Sequence, residues 1–227
     1  GDVKEGTTAV AFKELVRAGE QRRCVLGSAS RSIGVGDSRR IGATPWSVIA
    51  RDSPQIAGFR FHRGIIQDAD GTLYAPAHAE WRTGGAYESF RVMLMKSTNG
   101  GAEWTFVSTI EYTAGISFGE TSIVRCKDGS ILAVMRNDSN SLYYRRSPPG
   151  DNGVNWGAAA TALPGVAANA GVDPYLELLP NGILVLSYGN NVTGNMRHCL
   201  VSFSPDGNGN NWISGRQTFT SSTSGLG

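Results

Sequence analysis

The 227-residue sequence has no apolar stretch of roughly 18 residues or more, so it predicts no membrane-spanning helix. It also has little excess charge, because 21 lysine and arginine residues are balanced by 19 aspartate and glutamate residues. A formal net charge of +2 gives no sign of a nucleic-acid partner. We therefore expect neither a membrane span nor bound nucleic acid.

Cysteine and histidine are scarce, with three residues of each. Cys24, Cys126 and Cys199 are far apart, which argues against a zinc site and leaves at most one disulfide beside an odd thiol. We expect all three thiols to be buried and unreactive. The histidines also lack metal-ligand spacing, which predicts surface or hydrogen-bonded structural roles. The sequence has no metal, nucleotide or flavin motif, so we expect no cofactor.

Glycine, in contrast, is abundant, with 30 residues against only four methionines. Hydrophobic residues make up 40% of the chain and charged residues 18%. This composition is typical of a turn-rich β protein and disfavours a helical bundle or a disordered chain. A β protein of this length is commonly one domain.

One pattern of two apolar runs around an Asp-Gly or Asn-Gly pair occurs three times. The copies are Gly64–Ala75, Thr121–Val134 and Tyr175–Leu186. Asp-Gly and Asn-Gly provide the positive φ angles of a two-residue turn, so each copy predicts a tight antiparallel hairpin. The turns lie 58 and 53 residues apart, and a period near 50 residues is typical of propellers.

A second turn pattern follows each hairpin, at Ser97–Trp104, Ser147–Trp156 and Ser204–Trp212. In each, an Asn or Asp side chain can accept hydrogen bonds from backbone amides, and a glycine permits the bend. The tryptophan that ends each copy is expected to pack in the core and not to stack on a sugar.

The first of these turns resembles the Asp-box of the sialidase-like propellers, with Asn99 at the Asp position. The other two copies contain extra residues. The resemblance implies an all-β fold, a propeller of four-stranded antiparallel blades in a family of six-bladed proteins. Residues 58–212 account for about three blades and the whole chain for about four.

The resemblance further implies that residues 1–227 are a single propeller domain, incomplete at the C-terminus. Residues 1–57 are expected to form a divergent first blade, although Ala9–Gly19 also fits a short helix. An incomplete propeller leaves sheet edges unpaired, and such edges predict association into a homo-oligomer.

The resemblance also implies a triad of arginines that holds the carboxylate of a substrate. Arg63, Arg136 and Arg197 occupy the matching places, and guanidinium groups bind carboxylates bidentately without losing their charge. The family usually continues its first arginine with Ile-Pro, whereas Arg63 is followed by Gly64. Arg82 resembles a further arginine that orders the loop carrying the catalytic acid.

Two glutamates resemble catalytic residues. The family places an aspartate as general acid six residues after the loop arginine, and here that place holds Glu88. Glu120 resembles the glutamate that polarises a nucleophilic tyrosine, a nucleophile that sialidases use in place of a carboxylate. That tyrosine is expected on the blade after Arg197, and Tyr188 is a poor substitute because it precedes this arginine.

Other readings of these residues stay open. Charged residues at strand ends also form surface ion pairs that bind nothing. Asp173 precedes the third hairpin as Glu120 precedes the second, so it is expected either to face the central channel or to cap a turn. Trp81 lies in the loop region after the first hairpin and is open to a sugar-facing role.

The resemblance implies an exo-acting glycoside hydrolase of the sialidase type that releases a terminal acidic sugar from a sialoglycoconjugate. It also implies an extracellular or periplasmic location. Two other functions fit the same residues, namely a non-catalytic carbohydrate-binding propeller and a uronate-directed hydrolase or lyase, because one fold supports different chemistries.

Overall fold

The computed structural model describes residues 54–83, 86–137, 142–159, 161–164, 166, 171–192 and 196–220. Within these ranges, only the backbone is described at 54–59, 81–83, 86–88, 161–162, 190–192, 196–197 and 214–220. The predicted divergent blade, with its alternative helix at Ala9–Gly19, lies outside the described residues up to residue 53.

The described residues form thirteen β-strands and no helix, which confirms the predicted all-β class. The strands are β1 (Pro54–Phe61), β2 (Ile66–Gln67), β3 (Leu73–Thr83), β4 (Ala86–Ser97), β5 (Thr105–Glu111), β6 (Phe118–Arg125), β7 (Ile131–Asn137), β8 (Leu142–Ser147), β9 (Thr161–Ala162), β10 (Gly171–Leu178), β11 (Leu184–Val192), β12 (Met196–Ser204) and β13 (Ile213–Thr220). Among the described residues, none belongs to a helix long and apolar enough to cross a membrane.

The strands form three antiparallel sheets, which we call blades A, B and C. Blade A has the order β1-β3-β4-β5, with β2 also paired to β3, and blades B and C are the meanders β6 to β9 and β10 to β13. The boundary expected after residue 57 falls inside β1, because Pro54 to Ala57 already pair with β3.

Each blade packs on its neighbour through alternate residues of its strands, as the two-residue period of a strand requires. In β7, Ile131, Ala133 and Met135 lie in a core shared with blade A. Leu132 and Val134 lie in a core shared with blade C. Both faces of blade B are therefore buried, and each large apolar side chain contributes roughly 1.5 to 3 kcal/mol.

The three hairpins form where the sequence predicts them, but their turns are longer than two residues. In the first, the Gly71 amide donates to the Asp68 carbonyl and the Asp68 amide donates to the Thr72 carbonyl, both at 2.9 Å. Only the glycine of each Asp-Gly or Asn-Gly pair has a positive φ. The preceding side chain instead accepts a hydrogen bond from a later amide, as Asp70 does from Thr72 at 2.9 Å, which favours this wider turn.

The three turns that end in tryptophan share one pattern of hydrogen bonds. In the second, Ser147 Oγ accepts the Gly153 amide at 3.0 Å, and Asp151 accepts hydrogen bonds from Ser147 Oγ and the Asn155 amide. The indole of Trp156 donates to Ser108 Oγ of blade A at 2.9 Å. The three tryptophans pack against the blade cores, which confirms the structural role expected for them.

The expectation for the cysteines is wrong at one of the two described positions. Cys126 is buried, whereas Cys199 is exposed. Successive side chains of a strand point to opposite faces, so Cys199 lies on the face of β12 opposite to the buried Leu200. Cys24 lies outside the described residues.

Candidate functional site

Charged side chains from all three blades meet at one end of the sheets. Glu120 and Arg136 come from β6 and β7 of blade B, Asp173 comes from β10 of blade C, and Arg63 lies between β1 and β2 of blade A. We call these four residues the charged cluster. It contains two of the three arginines that the sequence predicts for a carboxylate clamp, together with Glu120.

Blade A delivers Arg63 to the cluster by a backbone contact with blade B. The Arg63 amide donates to the Thr121 carbonyl at 3.1 Å, and Arg63 forms an isolated parallel bridge with Ser122. The next residue, Gly64, has a φ of 78°, and a Cβ there would lie 2.4 Å from the Ile123 carbonyl oxygen. This close approach explains why glycine follows Arg63.

Glu120 is held by hydrogen bonds to both of its carboxylate oxygens. Oε1 accepts a hydrogen bond from Arg136 Nη1 at 3.0 Å, and Oε2 accepts one from the Asp173 backbone amide at 2.8 Å. The Arg136 and Glu120 side chains are 32% and 30% exposed, so solvent still reaches both. Glu120 therefore links an arginine of its own blade to the backbone of blade C.

Asp173 completes the cluster from an unusual backbone conformation. Its φ is 52°, in the left-handed region, and the register of β10 shifts at this point between Val172 and Tyr175. Its Oδ1 lies 2.8 Å from Arg63 Nη2, with side-chain exposures of 34% for Arg63 and 44% for Asp173. Of the two roles open for Asp173, the structure favours facing the other charged residues.

The cluster is electrically balanced, since its two arginines face two carboxylates. Each of the two arginines already contacts a protein carboxylate. A guanidinium has five N–H donors, more than one contact to a carboxylate uses. Arg63 can thus bind a further acceptor, provided that the ligand approaches from its exposed side.

The other predicted site residues are Arg82, Glu88 and Arg197. Their backbone lies at the same end of the blades, and their side chains are not among those that the structure describes. Arg82 lies in β3 opposite Tyr87, and Glu88 follows in β4. Arg197 lies near the start of β12, opposite Asn191. Their contacts with the cluster stay predictions, as does the sugar-facing role of Trp81.

Tyr188 does not reach the cluster. It is 2% exposed and packs in the core shared by blades B and C, beside Leu142 and Leu200. A phenol in this position cannot attack a sugar at the exposed carboxylates, which agrees with the expectation that Tyr188 is a poor substitute for the nucleophile. Its hydroxyl has no hydrogen-bond partner among the described residues.

Sequence reasoning missed a histidine pair next to the cluster. His62 Nε2 and His78 Nδ1 share a hydrogen bond, and their ring centroids are 4.4 Å apart. Burial lowers the pKa of His62 to about 3 and that of His78 to about 4, so both are neutral at pH 7. His62 is adjacent to Arg63 in sequence, but only the register of β3 reveals its partner.

Metal ligands are not grouped in the part of the chain that the structure describes. No three residues among its histidines, cysteines, aspartates and glutamates are arranged to hold an ion.

No protein-family model matches the chain, and no curated protein matches its sequence. Among solved structures, the chain is similar to a Hadza microbial sialidase, with a TM-score of 0.56 and 17% identity over 70% of this chain and 38% of that one. The fold is a β-propeller. A protein of unknown function from Dyadobacter fermentans is similar over 63% of this chain and 38% of its own, with a TM-score of 0.51 and 17% identity.

The propeller is also similar to the Trypanosoma rangeli sialidase, with a TM-score of 0.50 and 18% identity over 68% of this chain and 25% of that one. This propeller chain thus matches between a quarter and two fifths of the length of these three structures. At such identities the likeness establishes the fold, and the activity must be argued from the site.

Proposed function

We propose that this propeller is a glycoside hydrolase of the exo-α-sialidase type, which binds the carboxylate of a terminal acidic sugar at the charged cluster. The observation that carries the proposal is the convergence of Arg63 and Arg136 from different blades, linked through Asp173 and Glu120. Arginine is the residue best suited to bidentate recognition of a carboxylate, and it stays charged at all working pH values.

Each predicted residue then has a role. Arg63, Arg136 and Arg197 bind the sugar carboxylate, and Arg82 orders the strand end that carries Glu88. Glu88 donates a proton to the departing glycosidic oxygen, a task that requires a carboxylic acid within hydrogen-bond reach of that atom. Glu120 acts as the base that polarises the nucleophilic tyrosine, which is expected on the blade after Arg197.

The scaffold supports the same proposal. We infer that the three tryptophan-ending turns are Asp-boxes, since a serine hydroxyl accepts a glycine amide in each of them. On the same reasoning, residues 1–227 belong to a single sialidase-like propeller that acts outside the cytoplasm on glycans. Association through open blade edges stays a prediction, which light scattering tests.

The proposed activity is tested by hydrolysis of a fluorogenic α-sialoside. We expect turnover by the unmodified chain and a loss of about 100-fold or more in the variants Arg63→Met and Arg136→Met, consistent with loss of a charged hydrogen-bond partner. Arg60→Met is the matched control, because Arg60 is exposed and lies three residues before Arg63. Equal activity in all four proteins would remove the proposal.

A non-catalytic carbohydrate-binding propeller is the second candidate. The burial of Tyr188 favours it, because this tyrosine is unable to serve as the nucleophile. Glycan-array binding without turnover of sialosides or glucuronides is the result that would select this function. Turnover of a glucuronide, with product analysis for an unsaturated sugar, would instead select the uronate-directed hydrolase or lyase.

A further inference from the structure

The ion pair between Arg63 and Asp173 places a protein carboxylate where the proposed function requires the carboxylate of a sugar. We propose that Asp173 is an internal ligand of Arg63, which an acidic sugar must displace or share. Asp173 then sets the affinity for acidic sugars and is a specificity-determining residue. This inference rests on the proposed function, because it concerns the same arginine.

The backbone aims Asp173 at Arg63. Its amide is fixed by Glu120 Oε2 at 2.8 Å, and its φ of 52° lies in a region that aspartate tolerates better than most residues. Strained backbone of this kind persists only where surrounding contacts impose it, and it concentrates at functional sites. The result is a carboxylate oxygen 2.8 Å from Arg63 Nη2.

The pair is open to exchange with a ligand. Asp173 is the most exposed member of the cluster, at 44%, and Arg63 is 34% exposed. A solvent-exposed pair of this kind has a small net free energy, because water and salt compete for both partners. Glu120 is different, since both of its oxygens already accept hydrogen bonds and its displacement would break two contacts.

The charge balance of the cluster predicts how replacing Asp173 changes the affinity for acidic sugars. Two arginines facing two carboxylates leave the cluster without net charge, and an arriving sugar carboxylate meets a like charge beside Arg63. Replacing Asp173 by a neutral side chain leaves one uncompensated positive charge. A carboxylate ligand should then bind more tightly, whereas a neutral sugar should be unaffected.

The test is calorimetric binding of N-acetylneuraminic acid, glucuronic acid and galactose to the full chain and to Asp173→Asn. Asparagine preserves the size of the side chain and also tolerates a positive φ. We expect at least tenfold tighter binding of an acidic sugar to Asp173→Asn and no change for galactose. Asp128→Asn is the charge control, because it removes one negative charge from a hairpin turn at the other end of blade B.

The remaining outcomes separate the inference from the proposed function. Acidic sugars that bind Asp173→Asn as weakly as the unmodified chain, or more weakly, overturn the inference and leave the proposed function standing. Absence of acidic-sugar binding in both proteins overturns both. If Asp173→Asn does not fold, Asp173→Gly replaces it, since glycine suits the positive φ and also lacks the charge.

Discussion

Arginines join different blades at both ends of this propeller, but the two ends use them differently. At the end with the tryptophan turns, Arg125 of blade B donates two hydrogen bonds to Asp68 of blade A, at 3.0 and 2.8 Å. It also donates to Asn152 and to the Gly129 carbonyl, each at 3.2 Å. At the cluster end, Arg63 contacts Asp173 through one nitrogen in the ion pair.

The number of occupied donors, and not the residue type, therefore distinguishes the enclosed Arg125 from Arg63, which keeps donors for a further acceptor. Arg125 and Asp68 are 26% and 25% exposed, with a bidentate pair that neighbouring groups complete. Arg63 and Asp173 are more exposed, at 34% and 44%, and are not enclosed in this way. Four predictions test this contrast between the two ends.

The largest effect is expected at Gly64, where the cluster end depends on close backbone contact. An alanine Cβ would meet the Ile123 carbonyl oxygen at 2.4 Å, at a φ of 78°. We expect Gly64→Ala to lower the free energy of unfolding by about 3 kcal/mol or more, as overpacking and a strained φ combine. Urea denaturation measures the loss.

Gly71→Ala is the matched control for this prediction. Gly71 has a φ of 85°, but nothing lies within 4 Å of a Cβ built there. Gly71→Ala should lower the free energy of unfolding by only about 1 kcal/mol, because the positive φ is strained for alanine but no contact is overpacked. Equal losses in the two variants would show that the contact with Ile123 is unimportant.

The histidine pair predicts acid sensitivity at the cluster end. The pKa values of His62 and His78 are lowered by burial from 6.5 to about 3 and about 4. Below pH 6.5 the unfolded chain binds more protons than the folded chain, so the free energy of unfolding falls as the pH falls. We expect the two histidines together to lower the free energy of unfolding by about 3 kcal/mol between pH 6.5 and about pH 5.

The measurement is urea denaturation across this pH window, with His78→Leu beside the unmodified chain. After burial, the groups whose charges lower the pKa of His62 are His78, Arg63 and Arg60, all of which oppose its protonation. His78→Leu should be less stable at pH 7, but its stability should decline less steeply toward pH 5. If the free energy of unfolding falls equally steeply with pH in the two proteins, the histidine pair is not the source of the acid sensitivity.

The arginines at the two ends should separate stability from binding. Arg125→Met should lower the free energy of unfolding by about 2 kcal/mol, because it leaves Asp68 without its bidentate partner in a partly buried place. Arg63→Met should change it by less than about 1 kcal/mol while abolishing acidic-sugar binding. A lower stability of Arg63→Met than of Arg125→Met would contradict this division between binding and stability.

The smallest effect is expected in the tryptophan turns. Ser147 is fully buried, and its Oγ accepts the Gly153 amide at 3.0 Å. Ser147→Ala leaves that buried N–H without its partner and should cost about 1 to 2 kcal/mol. Thr98→Ala, which removes a hydroxyl at an exposed position of the first turn, should cost nothing measurable. Thermal denaturation distinguishes the two variants, and equal losses would contradict the role given to Ser147.

Several features of the fold were predictable because they depend on local chemistry. The three hairpins follow from apolar runs around Gly71, Gly129 and Gly182, since glycine readily adopts the positive φ of the turn. The exact type of each turn was not predictable, because it depends on whether the neighbouring Asp or Asn side chain accepts a hydrogen bond from a backbone amide. The inward packing of the tryptophans followed from the repeat of their turns.

The all-β class, the repeat, and the charged residues beside each hairpin were predictable from the amino-acid sequence. The partners of those charged residues depend on how the blades pack together. The pairing of Arg63 with Asp173, the link from Asp173 to Glu120, and the contact of His62 with His78 all join residues that are distant in sequence. The register of the strands and the packing of one blade on the next set these contacts, and no local pattern encodes either.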